Sequence, residues 1–481
     1  MPVRPERYLL LYLPWLLSLL FTATPVLSYC IAWLGSFYIF YMSIGGKVKP
    51  LPGGLNLGEQ LMRPLFLPQI IFAGYMCCTS VFYFLDVLGY ENFTTPPPNY
   101  FVDLNQLELV ARCQRYYCLA HAALVTGILN VMQYPKEKKY ALQTKDMASF
   151  LMLAALVCLA VSSFFKVTPG LYQFYVQFNA LSIIAATLAL AFAIPLKKGW
   201  NTLFCLTLYL MNFYQALLSG FKEPIIISIL VLGIFLYPFY KKAIITTFVP
   251  AIILLFMFLP AYNRAYREKA WANEEDSESA SQAALEETFN KQPGQEDDSN
   301  WAFLTNRFSE IGMFTQYVKS TPKEVDHYGL QIFYQGFTVL IPRIFWPEKP
   351  FTEEMVMERA YNAGVIQRGA TVSAKPPLVV DAYLSGGSLG IFLILFLFGT
   401  VIQLISVQAE KLFSGYIIGT AFIYSGLFQI TWRGNSIEIL MNSVLWAYVS
   451  MLMIFQLLRA FKILHKVPAT IHIFNRRLDL Q

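Results

Sequence analysis

Long apolar runs, separated by short polar or basic stretches, dominate the hydropathy pattern of the chain. Windows long enough to cross a hydrocarbon core of about 30 Å, which takes roughly 20 helical residues, recur along most of the sequence. Their apolar residues do not alternate with period two, and backbone groups in lipid must be hydrogen-bonded within their own segment, so each run predicts a helix. We predict twelve spans, near residues 8–23, 26–42, 65–89, 108–132, 147–165, 170–196, 200–220, 224–240, 243–262, 386–408, 412–430 and 436–461.

Composition agrees with this pattern. Hydrophobic residues make up 56% of the chain and charged residues 14%, and the mean hydropathy is +0.48, values typical of a membrane protein. We therefore predict an all-α polytopic membrane protein. The first apolar run follows Arg4 and Arg7, as in a signal peptide, but "TATPVLS" offers no small-x-small cleavage site, and we interpret the run as an anchor.

The short loops alternate in basic content, which predicts their sides because Lys and Arg are retained in the cytoplasm. The loops assigned to the cytoplasm carry Arg4, Arg7, Lys47, Lys49, Arg63, Lys136, Lys138, Lys139, Lys145, Lys197, Lys198, Lys241, Lys242, Lys462, Lys466, Arg476 and Arg477. Both termini are then cytoplasmic. The chain divides into helices one to nine (1–262), an extracytoplasmic loop (263–385), and helices ten to twelve with a tail (386–481). This bias explains much of the basic character, so the net charge of +6 indicates no nucleic-acid partner.

The long extracytoplasmic loop has parts of different character. Residues 274–298 carry nine acidic residues and one lysine, and we predict that 273–300 is disordered, because so polar a segment cannot bury enough apolar surface. Its acids are interpreted as solvated charge and not as a metal site. Beyond it, apolar residues recur at helical spacing over 301–318, and Gly336 and Pro342 interrupt the next apolar run. We predict short amphipathic, interfacial or re-entrant helices there.

Basic residues on the extracytoplasmic side run against the usual bias and call for a reason. They lie at the predicted ends of membrane helices or short loop helices: Lys222, Arg264, Arg343 and Arg433. One interpretation is that Arg343 and Lys349 reach the membrane surface beside an aromatic belt. Another is an anionic ligand, since arginine pairs with phosphate oxygens through two parallel hydrogen bonds. A polyprenyl diphosphate, with its apolar tail and charged head, fits this second interpretation.

Four segments together resemble a known family. They are "LLSGFKEPIII" between two predicted spans, "IPRIFWPEKP" in the long loop, "NAG" at Asn362–Gly364, and "PPLVVDAYLSGGSLG". Over roughly residues 200–440 the chain resembles the oligosaccharide repeat-unit polymerases (O-antigen type, Wzy-like) of bacterial envelopes. It departs from the Arg-x10-Gly spacing of some members, because Gly369 follows Arg359 one position early.

The resemblance implies a GT-C-like membrane glycosyltransferase in the bacterial inner membrane. It would move the growing glycan from undecaprenyl diphosphate to a sugar hydroxyl of an incoming lipid-linked repeat unit, with a flippase and a chain-length regulator as further partners. The departing diphosphate needs cations, and the acceptor hydroxyl needs a base. We assign catalysis to Glu223, Asp381 and Arg264, and binding of diphosphate or glycan to Lys222, Arg343, Arg359, Arg368 and Arg433.

No metal or cofactor is expected from the resemblance. Metal-using members of the wider GT-C group carry paired acids in their first external loop, and the corresponding turn here is essentially Thr24 and Pro25. Arginines would then take the place of the ion. Arg112 and Arg115 near the external end of the fourth span share a helix face and can line an external cavity, whereas His121 points elsewhere.

Two other functions stay open at this point. A flippase or transporter for the same lipid-linked sugars would commonly show two matching halves, and the sequence contains no internal repeat. A ligase that joins the glycan to another acceptor would need the same diphosphate site, so the sequence does not separate it from a polymerase.

Overall fold

The structure, a computed structural model, is mostly helical. It describes residues 6–55, 57–135, 139–144, 146–168, 170–197, 199–218, 223–272, 276–289, 301–342, 345–368 and 373–467. We number the helices of these residues in chain order: α1 (Glu6–Leu9), α2 (Leu13–Leu20), α3 (Pro25–Ile44), α4 (Leu67–Ala73), α5 (Ser80–Val87), α6 (Leu104–Val131), α7 (Met147–Val167), α8 (Tyr172–Ala193), α9 (Gly199–Leu218), α10 (Glu223–Leu236), α11 (Lys241–Arg267), α12 (Ser277–Phe289), α13 (Ile311–Ser320), α14 (Gln331–Leu340), α15 (Thr352–Asn362), α16 (Leu378–Leu412), α17 (Ser425–Leu427) and α18 (Ile437–Ala460).

Within the described ranges, helical segments occupy the positions of all twelve predicted runs. Six of these segments are long and apolar enough to cross a membrane: Pro25–Ile44, Leu67–Val87, Met147–Val167, Phe174–Ala193, Leu378–Leu412 and Ile437–Ala460. The second of them joins α4 and α5 through a π turn at Gly74–Cys78. The predicted class, an all-α protein with membrane-spanning helices, agrees with this architecture.

Helix α6 lies at the centre of the larger core and packs against α3, α13 and α16. The side chain of Asp103 caps its first turn by accepting hydrogen bonds from two backbone N–H groups. The crossing with α16 is close, because a Cβ at Gly127 would lie 2.1 Å from the carbonyl oxygen of Phe396 and one at Gly399 would lie 2.2 Å from that of Leu124. Two small residues thus let the two backbones touch, as in many helix pairs in membranes.

Helix α16 is broken near its N-terminus, at Gly386 and Gly387. Gly387 has φ 60° and ψ −140°, a conformation that only glycine adopts without strain. The predicted span began at residue 386, whereas the helix begins at Leu378. The break explains the difference, since a short first half, Leu378–Ser385, precedes the long apolar half and carries the polar residue Asp381.

Several of the loops predicted to share the cytoplasmic side lie together at one end of the molecule, which we call the basic end. Tyr140–Leu142 and Leu464–Lys466 form two antiparallel strands there, β1 and β2, so the chain after α6 pairs with the chain after α18. Arg63, in the loop after α3, forms an ion pair with Glu410 near the end of α16 at 2.9 Å. The loops that precede α6, α16 and α18 lie at the opposite end, which we call the loop end.

Part of the acidic segment predicted to be disordered is helical. Residues Ser277–Phe289 form α12, and Ala280 and Ala284 pack against Tyr262 and Tyr266 of α11. The hydroxyl groups of Tyr262 and Ser281 share a hydrogen bond of 2.9 Å. Two alanines one helical turn apart make this contact. The average composition of the segment, which is polar and acidic, does not indicate it. Residues 273–275 and 290–300 lie outside the described residues.

The segment that holds "IPRIFWPEKP" follows α14. The Nζ of Lys349 donates hydrogen bonds to the carbonyl oxygens of Val339 (3.0 Å) and Ile341 (2.7 Å), and Lys349 is only 8% exposed. It therefore caps the C-terminal end of α14 and does not extend to the membrane surface, so that interpretation is wrong for Lys349. Arg343 lies outside the described residues.

Candidate functional site

Three buried charges meet at the loop end. Arg359 of α15 donates from Nη1 to Glu438 Oε1 (2.5 Å) and from Nη2 to Glu438 Oε2 (3.0 Å). The same Nη2 donates to Asp381 Oδ2 (3.2 Å). Asp381 and Glu438 are fully buried and Arg359 is 2% exposed. One arginine therefore faces two carboxylates in the protein interior; we call this group the charge triad.

The charge triad ties together the first turns of two membrane helices. Asp381 Oδ2 also accepts the backbone N–H of Ile437, at 2.9 Å, and the N–H of Leu378 donates to the carbonyl oxygen of Gly434, at 2.7 Å. Burial alone would lower the pKa of Arg359, but the two carboxylates outweigh it and raise that pKa. The chain from Gly434 to Ile437 is thus held against the start of α16.

A pocket lies next to these two helix starts. It is lined by Glu310, Arg433, Tyr75, Tyr117 and neighbouring apolar and glycine residues of α4, α16 and the turn before α18. The hydroxyl of Tyr75 donates to Glu310 Oε1 at 2.9 Å. The cavity volume is about 10 Å³, close to that of one water molecule and far below the roughly 300–1,000 Å³ of most small-molecule sites. It has room for a single small group, such as one hydroxyl, and not for a sugar ring.

The carboxyl group of Glu310 is the titratable acid of this pocket. Burial raises its pKa above the ordinary value of 4.5, while the hydrogen bond from Tyr75 and the positive charge of Arg433 oppose that rise. A carboxyl group of raised pKa beside an arginine, in a pocket, is the arrangement that acid–base catalysis uses. The sequence did not predict a role for Glu310. This residue lies in the short polar gap before α13, in a segment where only the spacing of apolar residues gave a signal.

The sequence-predicted residues do not converge on one place. Arg359 and Asp381 lie together in the charge triad, both buried, and each serves as the other's partner. Arg433 lines the pocket of Glu310. Arg368 is exposed and forms an ion pair with Glu358, and Arg264 lies exposed on the last turn of α11. Their assigned roles stay predictions.

Lys222 and Arg343 lie outside the described residues, and the side chain of Glu223, the first residue of α10, is also outside them. In the part of the chain that the structure describes, no three His, Cys, Asp or Glu side chains come together in a way that would hold a metal ion. The seven cysteines are all free thiols.

Comparison with known proteins places the chain by family only. A family model described as a domain of unknown function (DUF8712) matches residues 13–466. No curated protein matches the chain, and no solved structure matches it.

Proposed function

Because this chain belongs to the DUF8712 family of unknown function, we propose its activity from its own geometry: it is a membrane glycosyltransferase that polymerises lipid-linked oligosaccharide repeat units. The proposal includes the finer architecture, with twelve spans arranged in a GT-C-like way, both termini in the cytoplasm and the loop end outside the bacterial inner membrane. The pocket of Glu310 and Arg433 then faces the side on which such repeat units are joined.

The observation that supports this proposal is the shared pocket of Glu310 and Arg433. In the proposed step, Glu310 accepts the proton of the acceptor sugar hydroxyl as that oxygen forms a bond to the anomeric carbon of the donor glycan. The bond from this carbon to the diphosphate oxygen breaks, and the diphosphate leaves on its polyprenyl chain with the electron pair. Arg433 lies where a cation can stabilise that leaving group. The charge triad holds the turn that follows Arg433.

The raised pKa of Glu310 suits this role. A general base works best when its pKa lies near the operating pH, and burial moves the pKa of Glu310 in that direction from 4.5. The hydrogen bond from Tyr75 fixes one carboxylate oxygen and leaves the other for substrate. Asp381 suits the role less, because it is fully buried and already bonded to Arg359 and to the N–H of Ile437.

The experiment that tests the proposal replaces Glu310 with Gln and Arg433 with Gln in the host and displays the surface glycan on a gel. We expect each change to reduce a ladder of repeat units to a single unit, while attachment of that unit survives. The matched control is Arg459→Gln, because Arg459 is exposed in the last turn of α18, at the basic end; its ladder should be unchanged. Loss of all glycan would favour a flippase or a ligase instead, and an intact ladder in both variants would refute the proposal.

A further inference from the structure

Two arginines on the first half of α6 form a second basic cluster. Arg112 and Arg115 lie three residues apart and so share one face of the helix. Arg115 is 8% exposed, and its Nη1 donates to the hydroxyl oxygen of Ser28 at 2.8 Å. Arg112 is half-buried, and its Nε donates to the hydroxyl oxygen of Tyr116 at 3.1 Å. Both of these partners are neutral.

Neither guanidinium forms an ion pair with a carboxylate among the described residues. Glu108, one turn before Arg112, is exposed and forms no ion pair within that part of the chain either. A buried charge is costly unless a counter-charge accompanies it. Glu108 attracts Arg115 from a distance, but no carboxylate of the described ranges contacts the buried guanidinium group.

The other buried arginines of the described chain each form an ion pair with an acidic side chain. Arg63 is 7% exposed and forms an ion pair with Glu410, and Arg359 is 2% exposed and pairs with both Asp381 and Glu438. Arg115 is buried to nearly the same degree as Arg63 but has no paired acid in the described ranges. An anion from outside the chain would supply the missing partner.

Aromatic side chains and one exposed histidine lie beside the two arginines. The rings of Tyr116 and Tyr383 lie 5.1 Å apart, and Tyr383 lies on the short first half of α16, just before the break at Gly386 and Gly387. His327, which is exposed, has its ring 5.7 Å from that of Tyr383. Broken membrane helices commonly border ion or anion sites.

The depth of the cluster fits a lipid head group. The hydroxyl of Ser28, which Arg115 contacts, lies in the first turn of α3, just after the short turn Phe21–Thr24. Arg112 lies eight residues after the start of α6 at Leu104, which is about 12 Å along a helix axis. The guanidinium group of Arg115 is thus level with the start of α3, a helix long and apolar enough to cross a membrane.

We propose that Arg112 and Arg115 bind the phosphate oxygens of an anionic lipid head group, a phosphate or diphosphate ester. The inference stands on a buried arginine that no described carboxylate contacts, and it needs no part of the proposed transfer reaction. If the glycosyltransferase proposal also holds, this site binds the diphosphate of a lipid carrier, and the pocket of Glu310 is a separate place on the same end of the molecule.

The test measures binding to the purified full chain in nanodiscs, with three probes: inorganic pyrophosphate, farnesyl diphosphate and phosphatidylglycerol. We expect saturable binding of at least one lipid probe, weakened roughly 10- to 100-fold in Arg112→Gln and in Arg115→Gln, since each charge-assisted pair contributes about that factor. Arg459→Gln, which removes an exposed arginine at the basic end, is the control and should bind like the unchanged chain.

The three probes also separate the sources of the phosphate group. Preference for farnesyl diphosphate supports a lipid diphosphate, and preference for phosphatidylglycerol supports an ordinary membrane phospholipid. Binding of pyrophosphate without either lipid would overturn the lipid assignment. Failure of all three probes to bind, or binding by the Arg112→Gln and Arg115→Gln variants as tight as that of the unchanged chain, overturns the site.

A second measurement covers variants that fold poorly. Without a bound anion, Arg115→Met removes a charge that lacks a counter-ion, so the delipidated variant should melt at a higher temperature than the unchanged chain and should gain no stability from the ligand. A lower melting temperature would indicate that the charge is already compensated and would count against the site. The single-unit glycan phenotype expected of Glu310→Gln does not depend on this result, so the two proposals can fail separately.

Discussion

The charge triad leads to a prediction about stability that can be worked out from its contacts. Replacing Arg359 with Met leaves Asp381 and Glu438 buried side by side without a cation, whereas replacing Asp381 with Asn leaves the two-hydrogen-bond pair of Arg359 and Glu438 intact. Breaking a buried ion pair by removing one partner costs about 3–5 kcal/mol. The change from Asp381 to an amide costs about 1.5–3 kcal/mol, because charged contacts with Arg359 are lost while the amide oxygen still accepts the N–H of Ile437.

The assay is unfolding of the purified protein in detergent, by heat and by SDS, for Arg359→Met and Asp381→Asn. We expect Arg359→Met to lose roughly twice as much unfolding free energy as Asp381→Asn. Equal losses, or an Arg359→Met variant as stable as the unchanged chain, would refute the reasoning. The same pair separates structure from catalysis at Asp381: if Asp381 were the base, Asp381→Asn would be fully folded and unable to extend glycan, whereas we expect extension to persist.

Three further outcomes follow from other contacts. Burial raises the pKa of Glu310 above 4.5, so the folded state keeps a proton that the unfolded state has lost. Stability should therefore fall as pH rises from about 4.5 through the raised pKa. Glu310→Gln should abolish that fall in pH-dependent melting curves. Gly399→Ala should cost about 1–3 kcal/mol in SDS unfolding because its Cβ would meet the carbonyl oxygen of Leu124, while Gly74→Ala, with open space, should cost little. Lys349→Met should cost about 1–3 kcal/mol by the same assay, since two carbonyl oxygens lose their donor; no change would contradict the cap.

The helices could be predicted because their signal is local. Each apolar run is read from about 20 consecutive residues, and a helix stands at every predicted position among the described residues. The start of α16 could not be predicted. Two consecutive glycines, Gly386 and Gly387, are typical of a loop that precedes a helix, whereas here helical residues both precede and follow them. The helix α12 could not be predicted for a different reason. Only two alanines of this acidic segment pack against α11, too few to change its polar average composition.

The site was harder to predict because its contacts are distant in sequence. Arg359 and Glu438 are 79 residues apart, and Arg359 and Asp381 are 22 apart. No spacing rule connects such residues, so a buried triad and a set of substrate-binding arginines look alike in the sequence. The clue that was present, a pair of arginines three residues apart in a predicted span, marks Arg112 and Arg115.

The measurement that tests the central claim most directly is transfer by the purified chain in nanodiscs. The chain is incubated with the host's diphosphate-linked repeat unit, and the lipid-linked glycans are weighed by mass spectrometry. We expect masses that grow by whole repeat units with release of free lipid diphosphate, and no growth with Glu310→Gln. Repeat units that keep their starting mass with the unchanged chain, in the presence of bound lipid substrate, would contradict the claim.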